Sequence, residues 1–379
     1  MLIVIADDLT GAAEMAGVAW SKGLSVNMMM QVSRNLPSCD VLVVATDTRQ
    51  ASRKAAVKTV EGILQRIANP GEHLIFKKTD SALRGHIVAE IRAMMYELDR
   101  DKALLMAQNP SKGRIIQEGI YYLDDLPLDR SLFYYDPEFP ANSSLVEERL
   151  PGTRSLSLQD SLHKGINVAD GSTKEELLLQ LHKADETTLI AGAADAFSLF
   201  LEEHFECKEQ TSIEDSQDPN SSLLLIQGST QSRPNPWHIP ESLMPDDVFH
   251  GAEPKEWIES LKNQFREHPR MAIRIAQPSE GGKPYAIRLR EVMATAATQL
   301  IKTKTAAPLH LVVEGGATAY AIIQHLGWNV FSIERELAPG IVTIKHHQDL
   351  ITLKPGSYLW PTEAFTSSRE LHNGLPSAQ

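Results

Sequence analysis

Leu2-Ile3-Val4-Ile5-Ala6-Asp7-Asp8-Leu9-Thr10-Gly11 is the stretch from which the rest of the chain is read. Leu2 to Ala6 is an unbroken apolar run with β-branched residues, the pattern of a strand buried on both faces. It stops at two acids, a hydroxyl and a glycine. Ala12 to Lys22 then reads as a helix that ends at Gly23. In an open α/β sheet, ligands sit outside the carboxyl ends of the strands, where this turn places Asp7, Asp8 and Thr10. A helix cap needs one such acid. Two adjacent acids repel each other, which a cap does not explain and a polar site does.

The same grammar continues downstream. Leu24 to Met30, Val41 to Thr46, His73 to Phe76 and Ala103 to Ala107 read as strands. Ser52 to Ile67 and Ile87 to Leu98 read as helices between them, the first closed by the turn Asn69-Pro70-Gly71. Strands alternating with helices at this spacing predict a largely parallel sheet with right-handed crossovers. From Asn109 to Pro151 the periodicity weakens, with a hairpin expected around Gly119 to Pro127. Ile166 to Asp170 and Thr187 to Ala191 are further strands. Residues 206–222 are polar, lack an apolar period and read as a linker. Beyond them a second α/β pattern begins: strands at Leu223 to Ile226, Met271 to Ile275 and His310 to Val313, with a helix at Arg288 to Lys302. The expected organisation is therefore α/β in two domains, 1–205 and 223–379, each a mostly parallel sheet flanked by helices, with a cleft between them.

The chain has 379 residues, 42% of them hydrophobic and 23% charged, which suits two cores. Its net charge of −12 argues against non-specific binding to nucleic acid or an anionic membrane. Cys39 and Cys207, the two cysteines, form neither a disulfide framework nor a zinc pattern and are expected as reduced, buried thiols. The absence of a long apolar span and of a basic leader makes a cytoplasmic protein the expectation, and a homodimer is the base-rate assembly.

Three strand ends carry the candidate chemistry. Asp7, Asp8 and Thr10 follow the first. Thr46-Asp47-Thr48-Arg49 follows the third, with Asp47 and Arg49 as an acid and an arginine. The fourth leads into Lys77-Lys78-Thr79-Asp80-Ser81-Ala82-Leu83-Arg84. Arginine grips carboxylates bidentately and lysine offers a point charge. Together the clusters suggest a pocket for a small hydroxylated anion, its carboxylate on the cations and its hydroxyls on the aspartates. Scattered surface ion pairs would explain any one cluster, and explain three strand ends less well.

The C-terminal half offers Gly228-Ser229 and Gly315-Gly316-Ala317-Thr318, glycine turns after strands. Such turns let backbone N–H groups approach phosphate, though many exist for packing alone. There is no Walker loop, no Gly-x-Gly-x-x-Gly, and no haloacid-dehalogenase pattern, since residue 9 is Leu rather than Asp. His346-His347 has no partner at metal-ligand spacing, His86 opens a helix, and His238 and His250 lie in poorly patterned stretches.

Ile5 to Ala12 and Lys77 to Gly85 resemble the two N-terminal signatures of the four-carbon acid sugar kinase family. Gly315-Gly316-Ala317-Thr318 and Leu337-Ala338-Pro339-Gly340-Ile341 resemble its C-terminal signatures, in the same order. The resemblance implies an N-terminal domain that holds a four-carbon sugar acid (threonate, erythronate or a 3-oxo-tetronate) and a C-terminal domain that holds ATP with Mg²⁺. It implies an acid-sugar site of Asp8, Arg49 and Lys77 to Asp80 (thus Lys77, Lys78, Thr79 and Asp80), with Arg84 close by. It implies an ATP site of Ser229, Gly315 to Thr318 and Gly356. Three departures fall in the nucleotide half: Ala317 in place of an acid, Gln231-Ser232-Arg233-Pro234 after Gly228-Ser229, and Ser357-Tyr358 after Pro355-Gly356.

The leading expectation is ATP-dependent phosphorylation of a sugar-acid hydroxyl, with Asp8 or Asp80 orienting the hydroxyl and Lys77 neutralising the transferring phosphoryl. The departures motivate an alternative, a non-catalytic acid-sugar-binding protein with a degenerate ATP site. A third reading uses the same pocket for isomerisation or another phosphate donor.

Overall fold

A computed structural model describes residues 1–67, 69–136, 139–210, 221–228, 239–278, 282–303, 308–356 and 360. The chain folds as two compact units. The first comprises Met1–Gln210 with Asn329–Ile333, and the second is the remainder.

The first unit opens with β1 (Leu2–Ala6), whose five residues are all buried, as an apolar run without alternation requires. Leu2, Ile3, Val4 and Ile5 each contribute about 1.5–3 kcal/mol by burial. Helix α1 (Leu9–Ser21) follows, with small residues along its length that let it pack closely. Next come β2 (Val26–Met29), β3 (Val41–Ala45), α2 (Arg53–Arg66), β4 (Leu74–Lys78), α3 (Ile87–Glu97) and β5 (Lys102–Met106). The weakly patterned stretch holds a small antiparallel sheet of β6 (Arg114–Gln117), β7 (Ile120–Leu123) and β8 (Leu126–Pro127), then α4 (Val146–Arg149). The unit closes with β9 (Thr153–Leu156), β10 (Gly165–Ala169), α5 (Lys174–Leu181), β11 (Thr188–Gly192) and α6 (Ala194–His204).

Its main sheet runs β2-β3-β1-β4-β11-β5-β10-β9, all parallel. From β1 the chain first moves out to β2 and β3, then crosses back to β4. The strand order therefore reverses at β1, the kind of switch point where α/β sheets open a crevice at the strand ends. Ala6 is level with Ala45 on one side and Lys78 on the other, so the three candidate turns leave the sheet together. Helix α1 packs on α6, and α2 packs on α3. The returning segment Asn329–Ile333 adds an antiparallel strand beside β2.

The second unit contains β12 (Ser222–Gln227), β13 (Glu241–Leu243), α7 (Asp246–Phe249), α8 (Lys255–Glu267), β14 (Arg270–Arg274), α9 (Lys283–Lys302), β15 (Leu309–Glu314) and α10 (Gly316–Leu326). The tail forms β16 (Val330–Ala338), β17 (Ile341–His346) and β18 (Asp349–Lys354). Strands β13, β14, β12, β15 and β18 run parallel, and β17 pairs antiparallel with β18. The architecture is mixed α/β with a mostly parallel sheet flanked by helices, as the alternation of elements predicts.

Several local expectations are corrected. Strand β4 runs to Lys78, so Lys77 and Lys78 belong to the strand and not to the turn beyond it. Ser222 is the first residue of β12 instead of linker, and most of the linker lies outside the described residues. Cys39 and Cys207 are free thiols but only half-buried. The tail strands and β9, β13 and α5 are not among the expected elements, although β16 alternates buried and more exposed positions from Val330 to Arg335.

Candidate active site

Asp7 and Asp8 leave β1 side by side, and Arg49, from the turn after β3, lies against both. Arg49 donates from Nε and Nη2 to the two oxygens of Asp7 at 2.8 and 2.9 Å, and from Nη2 to Asp8 Oδ1 at 2.8 Å. Its Nη1 is 3.4 Å from Asp80 Oδ1. One guanidinium thus answers the repulsion between the adjacent acids. Burial alone would raise Asp7, but Arg49 and Lys77 hold it below the ordinary carboxylate range.

Asp8 also caps α1. Its Oδ1 accepts from the Gly11 N–H at 3.0 Å and its Oδ2 from the Thr10 hydroxyl at 2.6 Å. The capping reading of Asp8 is therefore correct as far as it goes, and Arg49 supplies what the cap leaves unexplained. Gly11 is needed at this point: a Cβ there would lie 2.5 Å from Asp8 Oδ1 and 3.6 Å from Lys78 Nζ. Gly85, at φ +87°, leaves similar room beside Asp7.

Asp80 anchors the turn after β4. Its two oxygens take the fork of Arg84 at 2.9 Å each, and Oδ2 also accepts from the Ala82 and Arg84 N–H groups at 3.0 and 3.2 Å. Burial opposes its charge, yet Arg49 and Arg84 keep it ionised far below the usual carboxylate range. Asp80 in turn holds Arg84 above the usual guanidinium value against burial. Arg84 reaches Asp136 at 3.4 Å, and the Phe133 ring has Arg84 and Arg114 over it at 5.3 and 5.8 Å.

The other predicted residues divide. Lys78 turns to Glu14 of α1 at 3.4 Å and to the Thr79 carbonyl at 2.8 Å. Lys77 is taken inward by Glu90 of α3 at 2.7 Å, and Thr48 donates to the other Glu90 oxygen at 2.6 Å. Ser81 Oγ accepts from Arg114. Thr79 Oγ1 is buried and, among the described residues, has no hydrogen-bond partner. Asp47 is half-buried, with a left-handed backbone at φ 51°.

Glu14, Glu90, Lys112, Arg114, Phe133 and Asp136 were not singled out from sequence. Glu90 had a signal: with Ile87, Ile91 and Met94 it shares one helical stripe, an acid on an apolar face. Glu14 likewise sits in a helix buried nearly all round.

In the second unit Gly315, at φ +103°, starts α10 without a side-chain cap. Its N–H donates to the Lys354 carbonyl at 2.9 Å, which puts the Gly315 to Thr318 turn beside the end of β18 and the exposed Gly356. Thr318 packs so closely on Gly228 that a side chain there would collide with it. The buried Glu314 is met by Lys354 at 3.6 Å, Gln227 at 3.3 Å and the Trp360 indole. Ser229 lies outside the described residues, as do 231–234 and Ser357-Tyr358. No group of three His, Cys, Asp or Glu suited to a metal occurs among the described residues, and no helix there is long and apolar enough to cross a membrane.

Acids and cations gathered at the strand ends of a parallel sheet, where its order reverses, define an α/β protein with a candidate site for a small polar ligand. Residues 2–199, more than half of the chain, match the sugar-binding N-terminal domain family, and the chain belongs to that family, the four-carbon acid sugar kinases. It is 35% identical over 150 residues to a D-threonate kinase of Salmonella typhimurium, spanning 39% of this chain and 35% of that one. It is 30% identical over 220 residues to a D-erythronate kinase of Heliobacterium modesticaldum, 51% and 50% of the two chains. These matches cover half or less of the relatives' length. A 3-oxo-tetronate kinase of Haemophilus influenzae matches over 404 residues at 22% identity, 94% of this chain and 97% of that one. Solved structures share the fold: one from Haemophilus influenzae at TM-score 0.69 and 19% identity, covering 94% and 96% of the two chains, and one from Salmonella typhimurium, titled a putative tRNA synthase, at 0.73 and 18%, with the same coverage.

Proposed function

We propose that the protein is an ATP-dependent kinase that phosphorylates a hydroxyl of a four-carbon sugar acid of the threonate, erythronate or 3-oxo-tetronate type. The observation that carries this reading is the linked set Asp7, Asp8, Arg49, Asp80 and Arg84 at three strand ends, in a chain of this family. Phosphoryl transfer asks mainly for positioning and charge neutralisation, with a carboxylate to orient the attacking hydroxyl.

Asp8 suits that role best. Asp80 takes four hydrogen bonds, two from Arg84 and two from the backbone of its own turn, whereas among the described residues Asp8 Oδ2 takes only that of the Thr10 hydroxyl. Asp8 has the most exposed side chain of the three aspartates around Arg49, at 15% against 4% for Asp7 and 8% for Asp80. Lys77, enclosed by Glu90, serves the strand end instead of touching the phosphoryl group.

The second unit takes the nucleotide in this reading. The uncapped start of α10 fits phosphate, because the N–H groups of Gly316, Ala317 and Thr318 belong to the first turn of a helix, where anions are favoured. Glycines at 315 and 316 let phosphate approach. Bound at the Gly315 to Thr318 turn, ATP would supply the transferable phosphoryl group, and Mg²⁺ would offset phosphate charge. A second reading, acid-sugar binding without phosphoryl transfer, is favoured by Ala317, which leaves the first turn of α10 without an acid. A thermal-shift titration with Mg-ATP and a panel of four-carbon sugar acids separates the two. A ligand that binds the native state adds about 2.7 kcal/mol at a hundred times its dissociation constant. Stabilisation by ATP and an acid supports the kinase, and stabilisation by an acid with none by ATP supports the second reading.

A further inference from the structure

Glu14 holds two lysines at once. Its Oε1 is 2.7 Å from Lys112 Nζ and its Oε2 is 3.4 Å from Lys78 Nζ. Burial would raise Glu14, but the two ammoniums keep it below the usual carboxylate range. Lys78 comes from the end of β4 and Glu14 from the second turn of α1. Lys112 comes from a 3-10 turn, Pro110–Lys112, that follows β5.

That turn is fixed, not loose. The Ser111 N–H and hydroxyl donate to the two oxygens of Asp195 at 2.8 and 2.7 Å, and the Asp195 N–H donates to Asn109 Oδ1 at 2.9 Å. Asp195 and Asn109 are both buried. The ammonium of Lys112 is thus delivered to Glu14 from a braced backbone.

Of the cations expected to meet the substrate carboxylate, the two guanidiniums are differently placed. Arg49 is gripped by Asp7 and Asp8 and approached by Asp80, and Arg84 by Asp80 and Asp136. A substrate carboxylate brought to them meets four protein carboxylates, whose repulsion is strong in a partly buried setting. At Glu14, by contrast, two ammoniums share one carboxylate. Asp8 and Lys78 flank the bare edge of Gly11, so acid and cation border the same space.

We propose that Lys112 and Lys78, set side by side by Glu14, form the subsite that takes the carboxylate of the sugar acid, with Lys112 a substrate-contacting residue and Glu14 a positioning residue. The aspartate side then receives the hydroxyls. This rests on the sugar-acid reading above and names the end of the ligand each half of the site holds.

The test measures binding of threonate and erythronate by calorimetry, against the matching tetritols, which carry a hydroxyl-bearing carbon in place of the carboxylate. The wild type should bind the acid more tightly than the tetritol. Lys112→Met should narrow that preference at least tenfold and leave tetritol binding in place, and Lys112→Arg should restore much of it. Glu14→Gln should narrow it as well; because this change is buried, the partly exposed Lys112 variants carry the test. An undiminished preference for the acid in Lys112→Met overturns the proposal alone. A wild type that binds no four-carbon sugar acid overturns the sugar-acid reading and the proposal with it.

Discussion

Lys77 Nζ lies 2.7 Å from the Glu90 carboxylate, and both side chains are 1% exposed. The pair ties the end of β4 to α3 beneath the candidate site, and the Lys77 ammonium also donates to the Lys78 carbonyl at 2.9 Å. A buried pair is worth little against a well-packed apolar substitute, but removing one partner strands the other charge. Lys77→Met should cost about 3–5 kcal/mol of stability in urea denaturation, and adding Glu90→Leu should return much of that loss. A double variant no more stable than the single one would show that the pair is not coupled.

Gly11 separates packing from binding. Alanine is the better helix former by about 1 kcal/mol, yet its Cβ would press on Asp8 Oδ1. Gly11→Ala should therefore fold, with a melting temperature within a few degrees of wild type, while affinity for the sugar acid falls at least tenfold. Unchanged affinity, measured by calorimetry, would mean that Asp8 can shift without consequence.

His310 gives the second unit a pH signature. Burial, aided by Arg335 and Arg270, pushes its imidazole down to about 3. The unfolded chain takes up a proton near pH 6.5, and the folded one does not until far lower. The unfolded state binds more protons in this window, so stability should fall as pH drops below about 6.5, by up to about 1.4 kcal/mol per pH unit from this group. NMR titration should find the ring still neutral at pH 5. A ring that charges there would contradict its burial.

Asp80 acts at lower pH. Its folded-state ionisation is depressed by Arg49 and Arg84 despite burial, so its stabilisation is complete above the unfolded value near 4. As pH falls below that value the unfolded state protonates first, and the contribution drains away. Asp80→Asn should flatten the acid limb of the stability profile below about pH 4, and an unaltered limb would remove Asp80 from that role.

Much of this was legible in the sequence because it is written in local patterns. The apolar run Leu2 to Ala6 and its abrupt polar stop placed a strand and the polar turn after it, and the later strand ends followed the same rule. The partners of those residues were not legible. Nothing local says that Arg49 bridges Asp7 and Asp8, or that Lys77 turns inward to Glu90, 13 residues on, while its neighbour Lys78 turns to Glu14. A strand alternates its side chains between two faces, so adjacent lysines that look like one cluster serve two. Lys112 escaped notice because its turn is fixed by Asp195, 84 residues from Ser111, a relation that exists only after folding.

Phosphoryl transfer to a four-carbon sugar acid is read directly by mass spectrometry of the products from Mg-ATP and each acid of the panel. The wild type should yield ADP and a monophosphorylated sugar acid, with the product lost in Asp8→Asn at unchanged melting temperature. No phosphorylated acid from any member of the panel, with acid binding intact, would contradict it.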